Sequence, residues 1–245
     1  MTSLKLPGVF ILASASPRRK ELIRLIGIDP KIEPSALEEN ARTTDPAELV
    51  RKLSAQKAAD IASRHHDGEI VIGADTCVYL PPVAGEASET YSGALQYGAN
   101  GGTQTAHPQA TGDASGKGEI LGKPHTHLEA AQMIRKLQGR THEVYTGVTI
   151  IRCPATDTPE AEGTDEAARG FAPHTFVEKT AVTVYSMTEE EITLYSLLDE
   201  PMDKAGAYAV QGAFSRFIKS LDGDYFNVMG LPLGRLYHEL KNLTS

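Results

Sequence analysis

An α/β fold is what this sequence predicts, and three observations predict it. Short apolar runs suited to buried strands, such as Val9 to Ala13 and "EIVIGADTCVYL", alternate with segments of helical period. Most helical segments are preceded by a capping residue, and strands and helices interleave instead of clustering. Composition agrees, since 40% hydrophobic and 23% charged residues over 245 positions give a globular balance with room for a proper core.

Taken in order, Val9 to Ala13 reads as the first strand. Ser16-Pro17 marks a helix start, because serine accepts from first-turn amides and proline lacks only an N–H that would go unused there. Leu22, Leu25 and Ile26 recur at helical spacing, and Gly27 is placed to end that helix. Asp45-Pro46 with Glu48 opens a second helix to about Arg64. "EIVIGADTCVYL" follows as a buried strand, with Asp75 expected near its end because aspartate suits strand interiors poorly. Thr126 with Glu129 caps a helix to Leu137, and "THEVYTGVTII" and Val177 to Tyr185 are strands. Thr188 with Glu191 caps a helix to Leu198. Phe214 to Leu221 reads as a strand running into an Asp222-Gly223 turn. Pro232 opens a last helix with Leu233, Leu236, Tyr237 and Leu240 inward.

Two stretches break this pattern. Residues 84 to 119 are rich in Gly, Ser, Thr, Gln and Ala, and residues 153 to 172 form a second, more acidic stretch. Such segments bury too little surface to offset their ordering entropy, so they are expected to be flexible insertions in a single domain spanning 1–245.

Several function classes are excluded early. A net charge of −8 argues against a surface for polymeric nucleic acid, whose affinity rests on neutralising phosphates. A small phosphorylated ligand remains compatible, because a local cationic pocket needs few residues. Cys77 and Cys153 are too few for a disulfide framework, and Cys77 in its apolar run reads as core filler. There is no G-x-x-x-x-G-K-[ST] and no G-x-S-x-G. Lys5 and Ala13-Ser14-Ala15 imitate a signal peptide, but Pro7 and Gly8 interrupt the short apolar run. No run approaches the roughly 20 residues of a membrane span, so no membrane partner and a cytoplasmic location are expected.

Polar residues stand where pattern does not expect them. Arg18 and Arg19 fall in a helical first turn, where the dipole disfavours cations. Either an anion completes a phosphate site there, or both guanidiniums face water. Lys57 shares a face with Val50, Leu53 and Ile61, so its amine snorkels to a rim or reaches a buried anion. Asp75 is either a solvated strand end or a carboxylate in a cleft, able to hold Mg²⁺ or act as a base. Gly122-Lys123-Pro124 precedes a helix start, which lets Lys123 project where phosphates dock. Asp203, Lys204, Tyr208 and Gln211 are interleaved with Gly and Ala, a pattern for recognising a base or ribose, or a tight connection. His125 and His127 lack further ligands for a metal reading, and His65-His66 reads as a frayed helix end.

Together, "LASASPRRKEL", "VIGADT", "LGKP", "GRTHEVYTGV", "EPMDKAGAYAVQG" and "GDYFNVMGLPL" stand in the order and context of the Maf family, which this chain resembles from about Phe10 to Leu240. The resemblance implies a two-lobed α/β fold, similar to inosine triphosphate pyrophosphatases, with a central mixed sheet and an active-site cleft. It implies a nucleoside triphosphate pyrophosphatase, using Mg²⁺ or Mn²⁺ while water attacks the α-phosphorus to release a monophosphate and pyrophosphate. Carried over by residue, Ser14, Arg18 and Arg19 match the phosphate-binding turn, and Lys57 and Lys123 match triphosphate contacts. Asp75 matches the catalytic carboxylate, as general base or metal ligand. Glu39 in "SALEEN" matches a metal-ligand position, with Glu38 beside it. Asp203, Lys204 and Gln211 fall in the late site motif. Arg18 and Thr76 resemble the branch acting on dTTP and UTP, whereas the branch for 7-methyl-GTP has tryptophan and glutamine there. Ala209 departs from the glycine usual in "GAYGIQG". Modified pyrimidine nucleotides are further substrates on this reading, and a homodimer is suggested by the family alone. The alternatives are a purine-directed, inosine-triphosphate-type pyrophosphatase and a non-catalytic nucleotide-binding regulator of division.

Overall fold

A computed structural model describes residues 6–37, 41, 43–82, 118–154 and 171–244. The strand, turn and helix at the start form as the caps dictate. Strand β1 (Phe10–Leu12) leads into α1 (Pro17–Leu25), where the Ser16 side chain accepts from the Arg19 amide. Leu22 and Ile23 are the buried residues of α1, whereas Leu25 is 68% exposed, so the apolar face is rotated from the one the spacing suggested. A two-residue strand β2 (Lys31–Ile32), which the sequence did not announce, precedes α2 (Pro46–Ala62) with its Asp45 cap.

The organising element is the long strand β3 (Ile70–Leu80). One edge pairs antiparallel with β5 (Thr141–Arg152) from Ile70 to Tyr79. Its other edge is shared: Phe10–Leu12 of β1 pairs parallel with Ile70–Ile72, and β4 (Glu119–Leu121) pairs antiparallel with Val78–Leu80. Between those two partners, residues 73–77 have no strand neighbour on that edge among the described residues. The sheet order is β2-β1-β3-β5-β6-β7, with β6 (Phe171–Val184) and β7 (Ile218–Asp222) antiparallel to their neighbours. The sheet is therefore mixed, and its edge is split at the middle of β3.

Each side of the split has its own core. Phe10, Leu12, Leu22, Ile23, Ile72 and Leu236 cluster beneath α1 and α6 (Leu233–Thr244). Val78, Ile134, Leu137, Val182, Ile192 and Phe214 cluster beneath α3 (His127–Leu137) and α4 (Glu189–Ser196). These are the two lobes. Helix α2 lies close across the sheet centre, where a Cβ on Gly73 or Gly147 would stand 2.4 and 2.3 Å from the carbonyl oxygens of Ser54 and Val50. Only residues without a side chain admit that approach.

Three further expectations differ from the structure here. Asp75 is mid-strand, five residues before the end of β3, not at its terminus. The Phe214 strand begins only at Ile218, because Ala213–Phe217 forms a 3₁₀ turn that buries Phe214. Strand β6 starts at Phe171, inside the stretch read as a second insertion. The rest of residues 84–119 and 153–172 lies outside the described residues, apart from Gly118, the start of β4, Cys153 and Pro154.

Candidate active site

The split in the sheet edge is where a cleft of about 700 Å³ opens. Because strand side chains alternate between faces, consecutive residues at such a gap line it from both sides of the sheet. Asp75 turns toward α2 and Thr76 toward α1, and both line the cleft. An aspartate in this interior position is tolerated because it has a cation: Lys57 Nζ donates to Asp75 Oδ1 at 2.6 Å. Both side chains are largely buried, at 17% and 12% exposed. Of the two readings of Lys57, the structure selects the one in which its amine reaches an anion.

The opposite wall is the turn after β1. Ser14 is buried, and its hydroxyl accepts from the Ser16 amide at 3.2 Å and from Arg19 Nη1 at 3.2 Å. Arg19 also donates through Nε to the Gly230 carbonyl at 2.8 Å and through Nη2 to Thr76 Oγ1 at 2.9 Å. Three acceptors, in the turn after β1, on β3 and in the turn at Gly230, fix the plane of this guanidinium.

Arg18 solves its first-turn problem differently. Its Nη1 donates to Asp203 Oδ2 at 3.0 Å, across the cleft from the other lobe. Asp203 accepts from Lys204 as well, at 2.5 Å, and Lys204 Nζ also donates to the Glu200 carbonyl at 2.7 Å. Partial burial works to raise the Asp203 carboxyl, but Lys204 and Arg18 outweigh it and hold it below the usual carboxylate range. In this structure Asp203 supplies the counter-charge that the sequence reading assigned to a bound anion.

Lys123 and Gln211 are exposed and complete the lining, with His125, Ser35 and Tyr208. The Tyr208 hydroxyl meets His142 Nε2 at 2.7 Å. Burial pushes the His142 imidazole down to about 3, so it is neutral at working pH. Ala207, just before Tyr208, has φ of 61°, a strained value for a residue with a side chain. Cys77 is no nucleophile: burial, with Asp75 and Asp45 nearby, pushes its thiol up to about 12. Glu38 and Glu39 lie outside the described residues. Ser35 and the Gly230 turn were missed as site residues, although Gly230 stands inside "GDYFNVMGLPL", one of the quoted motifs, whereas Tyr208 belongs to the stretch read as suited to a base or ribose.

The donor set bears on a metal. Among the described residues no group of three His, Cys, Asp or Glu side chains is placed to hold an ion. Asp75 alone faces the cleft from the strand, and Asp203 lies opposite. One or two carboxylates suit Mg²⁺ that arrives with phosphate oxygens, and do not suit a cage built entirely of protein. The cleft therefore offers cations and a helix N-terminus to an anion, and a buried carboxylate beside it.

Known proteins are similar to this chain in sequence. A family model described as Maf-like protein matches residues 9–243. A protein of Lachnoclostridium phytofermentans named dTTP/UTP pyrophosphatase is 39% identical over 94% of this chain and 93% of its own length. Proteins of the same name from Bacillus mycoides and Bacillus cytotoxicus are 38% and 37% identical, each over 96% of this chain and over 95% and 96% of their own lengths.

Proposed function

This chain belongs to the Maf family, and from that membership we propose that it is a nucleoside triphosphate pyrophosphatase acting on dTTP, UTP and modified pyrimidine nucleotides. The observation that carries the reading is the convergence of Arg18, Arg19, Lys57, Lys123, Lys204 and Asp75 on one cleft at the N-terminus of α1. The relatives named for dTTP and UTP support the choice of base.

The reaction cleaves the bond between the α-phosphorus and the bridging oxygen, as water adds its oxygen to the α-phosphorus. Charge moves to the pyrophosphate leaving group, so cations fixed before the reaction lower its barrier. Arg19, already held by Ser14, Thr76 and Gly230, is such a cation. Arg18, Lys123 and Lys204 receive the remaining phosphate charge, and a bound triphosphate competes with Asp203 for Arg18. Asp75 orients the attacking water and takes its proton, while Lys57 holds the carboxylate in place. Asp75, with Glu39 and the substrate's phosphate oxygens, would hold Mg²⁺ or Mn²⁺, which when bound supplies charge neutralisation at the phosphates. No described helix is long and apolar enough to cross a membrane, and the reading places the enzyme beside its nucleotide substrates in the cytoplasm.

The test is product analysis with dTTP, UTP, 7-methyl-GTP and ITP in the presence of Mg²⁺, beside an Asp75→Asn control. The expected products are thymidine or uridine monophosphate and pyrophosphate, with turnover about 10³-fold lower in the control. Preference for ITP would make the enzyme purine-directed. Tight nucleotide binding without turnover would favour the regulator and sink the enzymatic reading.

A further inference from the structure

We propose that Thr146, a fully buried residue of β5 that does not line the cleft, is a positioning residue that sets the orientation of Arg19 through Thr76. The claim rests on the pyrophosphatase reading only for its catalytic consequence. The bonds themselves form a closed ring across four elements. Arg19 Nη2 lies 2.9 Å from Thr76 Oγ1, Thr76 Oγ1 lies 2.9 Å from Thr146 Oγ1, and Thr146 Oγ1 lies 3.0 Å from the Asn227 carbonyl oxygen. That same carbonyl accepts from the Gly230 amide at 2.9 Å, and the Gly230 carbonyl accepts from Arg19 Nε at 2.8 Å. The ring leaves Arg19 on α1, crosses β3 and β5, and returns through α5 (Tyr225–Met229) and the Gly230 turn.

Counting protons fixes its direction. A threonine hydroxyl has one proton and two lone pairs. A carbonyl cannot donate, so Thr146 spends its proton on Asn227. It must then accept from Thr76, which spends its own proton on Thr146. Thr76 is left with only lone pairs to offer Arg19, which is what a guanidinium N–H requires. Without the Thr146 hydroxyl, the Thr76 proton loses its acceptor and becomes free to point at the guanidinium, spoiling the bond that orients it. Thr146 is 0% exposed, so no solvent competes for its hydroxyl.

The consequence is measurable because a charge held in place costs no reorganisation when the leaving group develops. Thr146→Val keeps the volume and the β-branch, and it leaves the Asn227 carbonyl its bond from Gly230. Its melting temperature is expected to fall by only about 2–4 °C. Its kcat/KM for dTTP and its affinity for inorganic pyrophosphate are each expected to fall about tenfold. Thr146→Ser, which keeps the hydroxyl, should stay within about twofold of wild type on both. Thr76→Val should reproduce the loss, and the double variant Thr76→Val/Thr146→Val should lose no more than Thr76→Val alone. Should Thr146→Val not fold, Thr146→Cys, with its weak donor, takes its place in the same comparison.

Wild-type turnover and pyrophosphate binding in Thr146→Val would overturn the proposal, and so would additive losses in the double variant. If the wild type released no pyrophosphate from any triphosphate, the functional reading would fail while pyrophosphate affinity across the variants still decided this one. A wild type that neither turns over nor binds pyrophosphate would overturn both.

Discussion

Asp75 shows how a residue that propensity disfavours becomes a centre of chemistry. The carboxylate is mid-strand and largely buried because Lys57 reaches it from the helix packed across that face. Removing one partner of a buried pair strands the other charge, which costs more than the pair itself contributes. Lys57→Met is therefore expected to lower stability by roughly 1–3 kcal/mol in urea denaturation, less than for a fully dry pair because both groups keep some solvent. Adding Asp75→Asn should return part of that stability while turnover remains about 10³-fold below wild type. Stability that stayed low in the double variant would show that Lys57 acts through packing and not through charge. At this scale the sequence was partly legible. A lysine on an apolar stripe and an aspartate in an apolar run were both visible as anomalies, but nothing along the chain says that they meet. The Arg19 ring was less legible still, since its members come from four elements and Thr146 looks like any strand threonine.

The elements were read best where local chemistry decides them. Ser16, Asp45, Thr126 and Thr188 all cap the helices they were expected to cap, and Thr188 with Glu191 closes a reciprocal capping box. Caps act within a few residues, so a sequence carries them whole. The 3₁₀ turn at Ala213–Phe217 was misread as strand, because its apolar residues bury into the α3–α4 core without pairing. His65 was misread too. It does not fray: its Nδ1 meets Glu69 at 3.1 Å and its Nε2 meets Glu33 at 3.2 Å, joining the end of α2 to β2 and the start of β3. Burial works to lower the imidazole pKa, but the two carboxylates outweigh it and raise it above 6.5. A raised folded value means the contribution is fully present below about pH 6.5 and is lost as pH rises through that folded value. The Glu33 and Glu69 carboxyls are lowered, so their share fades only as pH falls through their depressed values. Melting curves of wild type and His65→Gln should thus differ most in mildly acidic buffer and converge in alkaline buffer. A gap independent of pH would rule out the ion pairs as its source.

At the scale of the whole molecule, the cleft follows from topology: one long strand lends half of an edge to each lobe, and the unpaired middle is the site. The two-lobed mixed sheet with a cleft was legible through resemblance, whereas composition and period gave only α/β. The shared edge was hidden because β4 is three residues long and follows residues 84–117, whose composition suggests no strand on either side. Yet the pairing itself shows what the intervening chain must do. Leu80 and Glu119 are direct partners in the β3–β4 ladder, so the chain leaves and re-enters the sheet at adjacent points. A long connection there is not required to span any distance, and a short turn closes the same hairpin with less entropy to lose, each halving of loop length being worth about 0.6 kcal/mol. Replacing residues 83–117 by an Asn-Gly turn is therefore expected to preserve folding and to raise stability by about 1–2 kcal/mol. Because Lys123 is placed by β4 and α3, kcat/KM for dTTP should stay within about threefold of the full chain. A larger fall in kcat/KM at preserved stability would mean that this segment contributes groups to the cleft, and that the enzyme's site extends beyond the split in its sheet.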